Sequence, residues 1–443
     1  MKTNRLYIPI LALALAAGFT SCDDFLDREP MSTVDPEVYF TQVSQLESYA
    51  NQLYENILPS HGNWSYGIFG EDSGTDNQTG ATANNRFAEG LWKVPNKDDD
   101  NWKFEWIYRC NFFLQNVLEK YGTKEDGSEN TIMGDLASIK HYIGEIYFLR
   151  AYEYFKRYQK YGDFPIITEP LADDMEILRE SNKRMPRTEV ARFILDDLKK
   201  AYDFLSAKEM ATTRINKDAA LLLRSRVALF EGTWLKSFEG TAFVPNGEGW
   251  PGASKDYNKD YQFKSGSIDK EINYFLEQAI ADAETISEAY KNDLAKNKGL
   301  QQSVNDPANP YYDMFAQEDL SGVREVLLWR QYGRGLVTHN VNVAANRGNY
   351  MNGVTRAFVN NFLMDDGTPV YTHGSYADGD GYYKGDKTIA DVRINRDGRL
   401  QLFLKEPGQV SILYENIEGN EASMTEPIPV SYTHLTLPTI RLV

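Results

Sequence analysis

Through the first two thirds of the chain, apolar positions recur every three or four residues, and that spacing predicts helices. Tyr39, Val43, Leu46, Tyr49, Ala50, Leu53 and Ile57 share one face of a helix running from about Pro36 to Ile57. A second helix is predicted from Trp106 to Tyr121. A long third carries Leu136, Ile139, Ile143, Ile146, Tyr147, Tyr154 and Tyr158. It stops at Tyr161-Gly162-Asp163-Phe164-Pro165, where a glycine and a proline break it. Val190, Ile194, Leu198, Ala201 and Leu205 mark a helix from Thr188 to Leu205. Asn216 is placed to cap another, which runs through Leu223, Val227, Phe230 and Trp234. One more spans about Ile268 to Tyr290.

Amphipathic helices joined in pairs predict a mainly α fold, a tetratricopeptide-like helical-pair scaffold with few short strands. Gly144-x-x-Tyr147 and Ala151-x-x-x-Phe155 fit such a pair, without that repeat's full spacing. Between the helices lies a large loop-rich region. Residues 59–101 are rich in Gly, Asn, Asp and Ser, and a loop that long in a compact domain usually carries function. Segments 240–266 and 332–356 also read as loops. Val326 to Trp329 reads as a short strand, and Arg399 to Leu404 partly alternates.

The N-terminus breaks the helical pattern differently. Lys2 and Arg5 precede the apolar run Ile8 to Phe19, too short to span a bilayer and suited to a signal peptide over residues 1–21. The run ends at Thr20-Ser21-Cys22, similar to a bacterial lipobox, with Phe19 where a smaller aliphatic residue is commoner. On this reading Cys22 is acylated, palmitate being one of its chains, and anchors the protein. Cys110 is the other cysteine, so with Cys22 lipidated no intramolecular disulfide is available.

Charge and ring content bear on the ligand. The net charge of −17 repels nucleic acid and anionic lipid head groups and argues weakly against acidic glycans as ligand, because local patches can differ from the total. The chain holds 28 Tyr, 22 Phe and 7 Trp. Sugars present apolar C–H faces and a rim of hydroxyls, so a sugar binder needs exposed rings beside amide and carboxylate groups. Trp64, Tyr66, Asp72, Trp92, Asn101 and Trp102 supply that mixture, with Trp250 in a second set beside Tyr257 and Tyr261. Arg150, in the long helix among rings, reads as a structural arginine paired with a carboxylate rather than as a ligand contact. Asp98-Asp99-Asp100 and Asp378-Gly379-Asp380 lack the ligand spacing of an EF-hand, and no metal or other cofactor is expected. Gly70-Glu71-Asp72-Ser73-Gly74 has no partnered histidine in context, and no HExxH, GxSxG or phosphate-loop pattern occurs. No catalytic residue is expected.

Several segments in order resemble the SusD/RagB family of nutrient-uptake lipoproteins. They are Cys22-Asp23-Asp24-Phe25-Leu26-Asp27, the run Gly144 to Tyr152, Tyr161 to Ile167, Pro186-Arg187-Thr188 with Ile194 to Leu198, and Ala219 to Leu229. Asp366-Gly367-Thr368-Pro369 and Arg396-Asp397-Gly398-Arg399-Leu400 follow, the latter with Gly398 where proline is usual. The resemblance implies a cell-surface protein, lipid-anchored in the outer membrane, that captures oligosaccharides without cutting them. It also implies delivery to a partner, a SusC-like TonB-dependent transporter. It divides the chain into a helical region at 22–240 and a C-terminal region at 241–430, incomplete by the family's pattern. Residues 431–443 carry no acidic side chain and resemble translated adapter sequence. Two alternatives stay open: peptide capture, as in the RagB branch, and a surface glycoside hydrolase, which needs two carboxylates roughly 5–9.5 Å apart.

Overall fold

The computed structural model describes residues 39–61, 71–80, 102–124, 126–206, 211–297, 309–333, 336–339, 353–374 and 380–404. Eleven α-helices and two strands of two residues each lie among the described residues, so the fold is mainly α. In chain order the first seven helices are α1 (Val43–Ile57), α2 (Glu105–Tyr121), α3 (Leu136–Tyr161), α4 (Met175–Ser181), α5 (Arg187–Phe204), α6 (Lys217–Ser237) and α7 (Ile268–Tyr290), and all but the exposed α4 contribute to the main core.

The centre is α3, 26 residues long. It is buried on nearly every side, as a helix without a solvent face must be. Asp135 caps it by accepting from Ser138 N at 2.8 Å, and Gly162, with φ of 68°, turns the chain out of it. Helices α1, α2 and α5 pack on α3, α5 packs on α6, and α6 on α7. Two glycines set how close these helices come. A Cβ on Gly144 would stand 2.8 Å from Leu205 Cγ, and one on Gly232 would stand 2.7 Å from Leu276 Cδ2. Cys110 is buried and unpaired in this core.

The helix boundaries agree closely with the apolar spacing, and Asn216 caps α6 by accepting from Ala219 N at 3.0 Å. The start of α1 differs. The helix begins at Val43 because Phe40 takes a positive φ of 59° and Gln42 bridges Met133, which holds residues 39–42 in a turn.

Charged side chains tie the helices together inside. Arg150 of α3 donates to both carboxylate oxygens of Asp197 on α5, each at 2.7 Å. Arg187 of α5 reaches Glu231 of α6 at 2.9 Å, and the Tyr158 hydroxyl donates to the same carboxylate oxygen. Arg192 of α5 forks onto Glu271 of α7 at 2.7 and 2.9 Å. Arg224 of α6 forks onto Asp282 of α7 at 2.8 and 2.7 Å. Such pairs are planar and two-pronged, so they fix register as well as distance.

The remaining helices are short: α8 (Pro310–Ala316), α9 (Arg356–Asn361), α10 (Ile389–Arg393) and α11 (Leu400–Phe403). Val359, Val392 and Leu400, from the last three, form a small core of their own. Two sequence expectations are corrected here. Val326 to Trp329 forms no strand: instead of a ladder partner it has single bonds to the loop before α6, Trp329 N to Thr212 O at 3.1 Å and Asn216 Nδ2 to Leu327 O at 2.7 Å. Arg399 to Leu404 is not extended either, because Leu400 starts the helical turn α11 and buries itself against Val359 and Val392.

The strands join distant loops. β1 (Gln78–Thr79) pairs antiparallel with β2 (Gly353–Val354), and Thr355 N donates to Asn77 O at 2.9 Å. No described helix is long and apolar enough to cross a membrane.

Candidate functional site

The sequence-flagged residues separate in space. Trp102 precedes α2 and is half-buried. Its ring meets Phe104, Tyr161 and Phe164 edge-on, with centroids 5.8, 4.9 and 4.8 Å away. The Arg184 guanidinium lies 4.5 Å from the Trp102 centroid, a cation on a ring face. Phe164 is positioned by the turn that ends α3 and by mutual backbone bonds with Met185. The glycine–proline stop of α3 thus builds one side of the Trp102 setting.

Beside Trp102 a groove of about 320 Å³ opens between α2, the strap 165–174 and α4. Ile107, Tyr108, Ile167, Leu171 and Leu178 line it with Trp102 and Phe104, and Glu169 and Asn182 add polar groups. Tyr108 is 46% exposed and Leu178 40% exposed, so the apolar wall continues onto the surface. An apolar trough with a few polar groups is the usual form of a small-ligand site. It offers ring faces to C–H surfaces, with a carboxylate and an amide for hydroxyls.

Trp250 takes another role. It is 4% exposed, and its Nε1 donates to Asp163 Oδ2 at 2.8 Å. The indole is packed inside, where it presents no face to solvent. Burial pushes the Asp163 carboxyl above its ordinary range, against the donors Trp250 and the Arg187 backbone. Asp72 is exposed, and its backbone carbonyl accepts from Thr75 N at 3.2 Å. Cys22, Trp64, Tyr66, Trp92 and Asn101 lie outside the described residues.

Arg150 is structural, as its aromatic setting suggested. Besides Asp197 it holds Asn111 Oδ1 at 2.8 Å, and it lies 5.5 and 5.3 Å from the Tyr147 and Phe193 centroids. Burial works against its charge, and Asp197 more than restores it, so its pKa lies above the ordinary arginine value.

One cluster went unseen in the sequence. His61, at the end of α1, meets Tyr332 and His339 from a distant loop, with the two imidazole centroids 5.1 Å apart. His61 N donates to the Tyr332 hydroxyl at 2.9 Å. Burial first, and then His339, push the His61 imidazole below its ordinary pKa. Its sequence signal was thin: the residues fall in or beside two segments read separately as loops, and nothing in their spacing paired them. Among the described residues no group of three or more His, Cys, Asp or Glu is arranged to hold a metal ion.

Comparison with known proteins agrees with this architecture. A family model described as "SusD-like_3: Starch-binding associating with outer membrane" matches residues 24–229. Two SusD-like proteins of Formosa agariphila, P25 and P2, are 26% and 25% identical over 234 and 258 residues. Those stretches are 48% and 56% of this chain but only 41% and 47% of the relatives, so the match spans less than half of each. A SusD-like carbohydrate-binding protein of Bacteroides fragilis superposes with a TM-score of 0.50 at 16% identity, covering 86% of this chain and 62% of that one. That likeness bears on the fold alone, and the family model matches less than half of this chain, residues 24–229.

Proposed function

We propose that the chain captures neutral glycans and does not cleave them. The observation that carries this reading is the Trp102 groove, where ring faces and aliphatic walls stand beside Glu169 and Asn182. A sugar laid there buries its C–H face on Trp102 or Tyr108 and turns its hydroxyls to the two polar groups. The starch-binding description of the matching family supports the ligand class. The family description supports an outer-membrane setting, and the lipobox-like Cys22 supports a lipid anchor there. Delivery to a TonB-dependent transporter completes the proposal and rests on the family resemblance.

The test is calorimetric titration of the folded protein with a panel of neutral α- and β-glucans and a panel of oligopeptides. Glycan binding that weakens in Trp102→Ala and Tyr108→Ala, with no sugar released over hours, supports the reading. Binding of peptides but of no glycan replaces it with peptide capture, and release of reducing sugar replaces it with hydrolysis.

A further inference from the structure

A second pocket, of about 440 Å³, lies in the C-terminal segment, away from the Trp102 groove and lined by none of its residues. Asp365, Ala390, Arg393, Ile394, Asn395, Arg396 and Gln401 line it. Its unusual member is Arg396, which is 5% exposed. Its Nη2 donates to two backbone carbonyls at the end of α9, Val359 O at 2.5 Å and Phe362 O at 2.8 Å. Those bonds hold the guanidinium in place. They leave Nε and Nη1 buried with no hydrogen-bond partner.

A buried guanidinium normally finds a carboxylate, because its unused donors forfeit water without replacement. The acids nearest Arg396 are committed elsewhere. Asp397 accepts from Arg399 Nε at 2.9 Å. Asp365 accepts from the Tyr382 hydroxyl, and its backbone N donates to Asn395 O at 2.9 Å. Arg393, buried in the same wall, adds a second positive charge. The Tyr383 ring, with its centroid 6.0 Å from the guanidinium carbon, carries no formal charge.

We propose that this pocket is a carboxylate-binding site, with Arg396 Nε and Nη1 as its donors and Arg393 as supporting charge. A carboxylate fits an arginine better than a neutral hydroxyl does, because each oxygen accepts a charge-assisted bond. The pocket volume suits a single monosaccharide or a smaller acid. Both nitrogens are closed to water, so the acid reaches them by displacing a wall side chain. Ile394, 43% exposed, is the large apolar side chain of that wall and is open to solvent. The carboxylate has two chemical sources, a free small acid or the uronate of a charged sugar. The site is independent of the Trp102 groove, and either stands if the other fails.

The experiment uses the full chain labelled with ¹⁵N-arginine, following the side-chain Nε–H signals during titration. Sodium glucuronate and sodium acetate are the probes, with glucose and sodium chloride as controls. The expected result is one Nε–H signal that shifts saturably with a carboxylate and not with the controls, and binding at least tenfold weaker in Arg396→Lys. Saturation by glucuronate alone assigns the site to sugar acids, and equal saturation by acetate assigns it to free small acids. No saturable shift, or the same shift with glucose or chloride, overturns the proposal. If Arg396→Lys does not fold, Gln401→Ala changes the pocket wall while sparing every bond of Arg396. It must then alter carboxylate affinity at least threefold, and an unchanged affinity overturns the proposal as well.

Discussion

Arg150 and Arg396 are buried to nearly the same extent, 4% and 5% exposed, yet they are satisfied in opposite ways. Arg150 sits between two long helices, takes a whole carboxylate and an amide, and is flanked by two rings. Arg396 sits among short helices and turns, takes two carbonyls, and leaves two nitrogens over. Their pKa values move apart for that reason. Asp197 carries Arg150 above the ordinary value, while burial, opposed only weakly, pulls Arg396 below it. The contrast separates charge that fixes a scaffold from charge held ready for something else. In the scaffold every cross-helix arginine has a carboxylate facing it from a neighbouring helix, so the charge sets register. In the C-terminal segment the arginine closes a helix end with one edge only.

The largest effect should come from breaking the scaffold type. Asp197→Ala leaves Arg150 buried without its carboxylate, and urea denaturation should show a loss of about 3–5 kcal/mol. Trp250→Ala removes a packed ring and the donor to Asp163, for a loss of about 3–4 kcal/mol, with glycan affinity per folded molecule unchanged. A fall in affinity there would make the packed Trp250 part of a binding surface. Arg396→Met should cost less, about 1–3 kcal/mol for the bonds lost at Val359 O and Phe362 O, because no ion pair is broken. A cost equal to that of Asp197→Ala would erase the contrast. Trp102→Ala should weaken glycan binding about tenfold, by about 1.4 kcal/mol, as the loss of one ring contact does. The smallest effect concerns acid. Burial raises the Glu271 pKa, but donation from Arg192 and Ser265 outweighs it, and the net shift is downward. A lowered carboxylate pKa gives stability that is present above the ordinary Glu range and is lost as pH falls through the folded value. Stability measured against pH should therefore fall less steeply on the acid side in Glu271→Gln than in the parent.

The helices were legible because each long one announces itself by apolar spacing and by a cap or stop, as Asn216 and Gly162 do. Arg150 was legible as a paired arginine, but the acidic partners of the charged cross-links were not. Asp197 and Glu231 look like surface acids in a chain with 64 of them, and only the packed helices bring them to Arg150 and Arg187. Sequence reading singled out Trp102 and Trp250 alike from neighbouring polar residues. The structure puts the first at a groove and the second inside, because an indole whose N–H finds a carboxylate can be buried without cost to the donor. Trp329 was missed as an anchor for the same reason: its partner, Thr212, lies far off in sequence. The meeting of His61 with Tyr332 and His339 depends on two loops converging, which periodicity cannot report.

That convergence also orders events in time. The short ladder of β1 and β2 is continued by a bond between Thr355 and Asp76, 279 positions apart. Closing so long a loop in an open chain would cost about 5 kcal/mol in chain entropy, far more than a two-residue ladder returns. The ladder therefore closes only after the helices between its ends have formed and shortened the span. It should close late in folding and open early under stress. Hydrogen exchange should find the amides of Gln78 to Thr79 and Gly353 to Thr355 opening well below the global unfolding free energy, while those of α3 open only with the whole molecule.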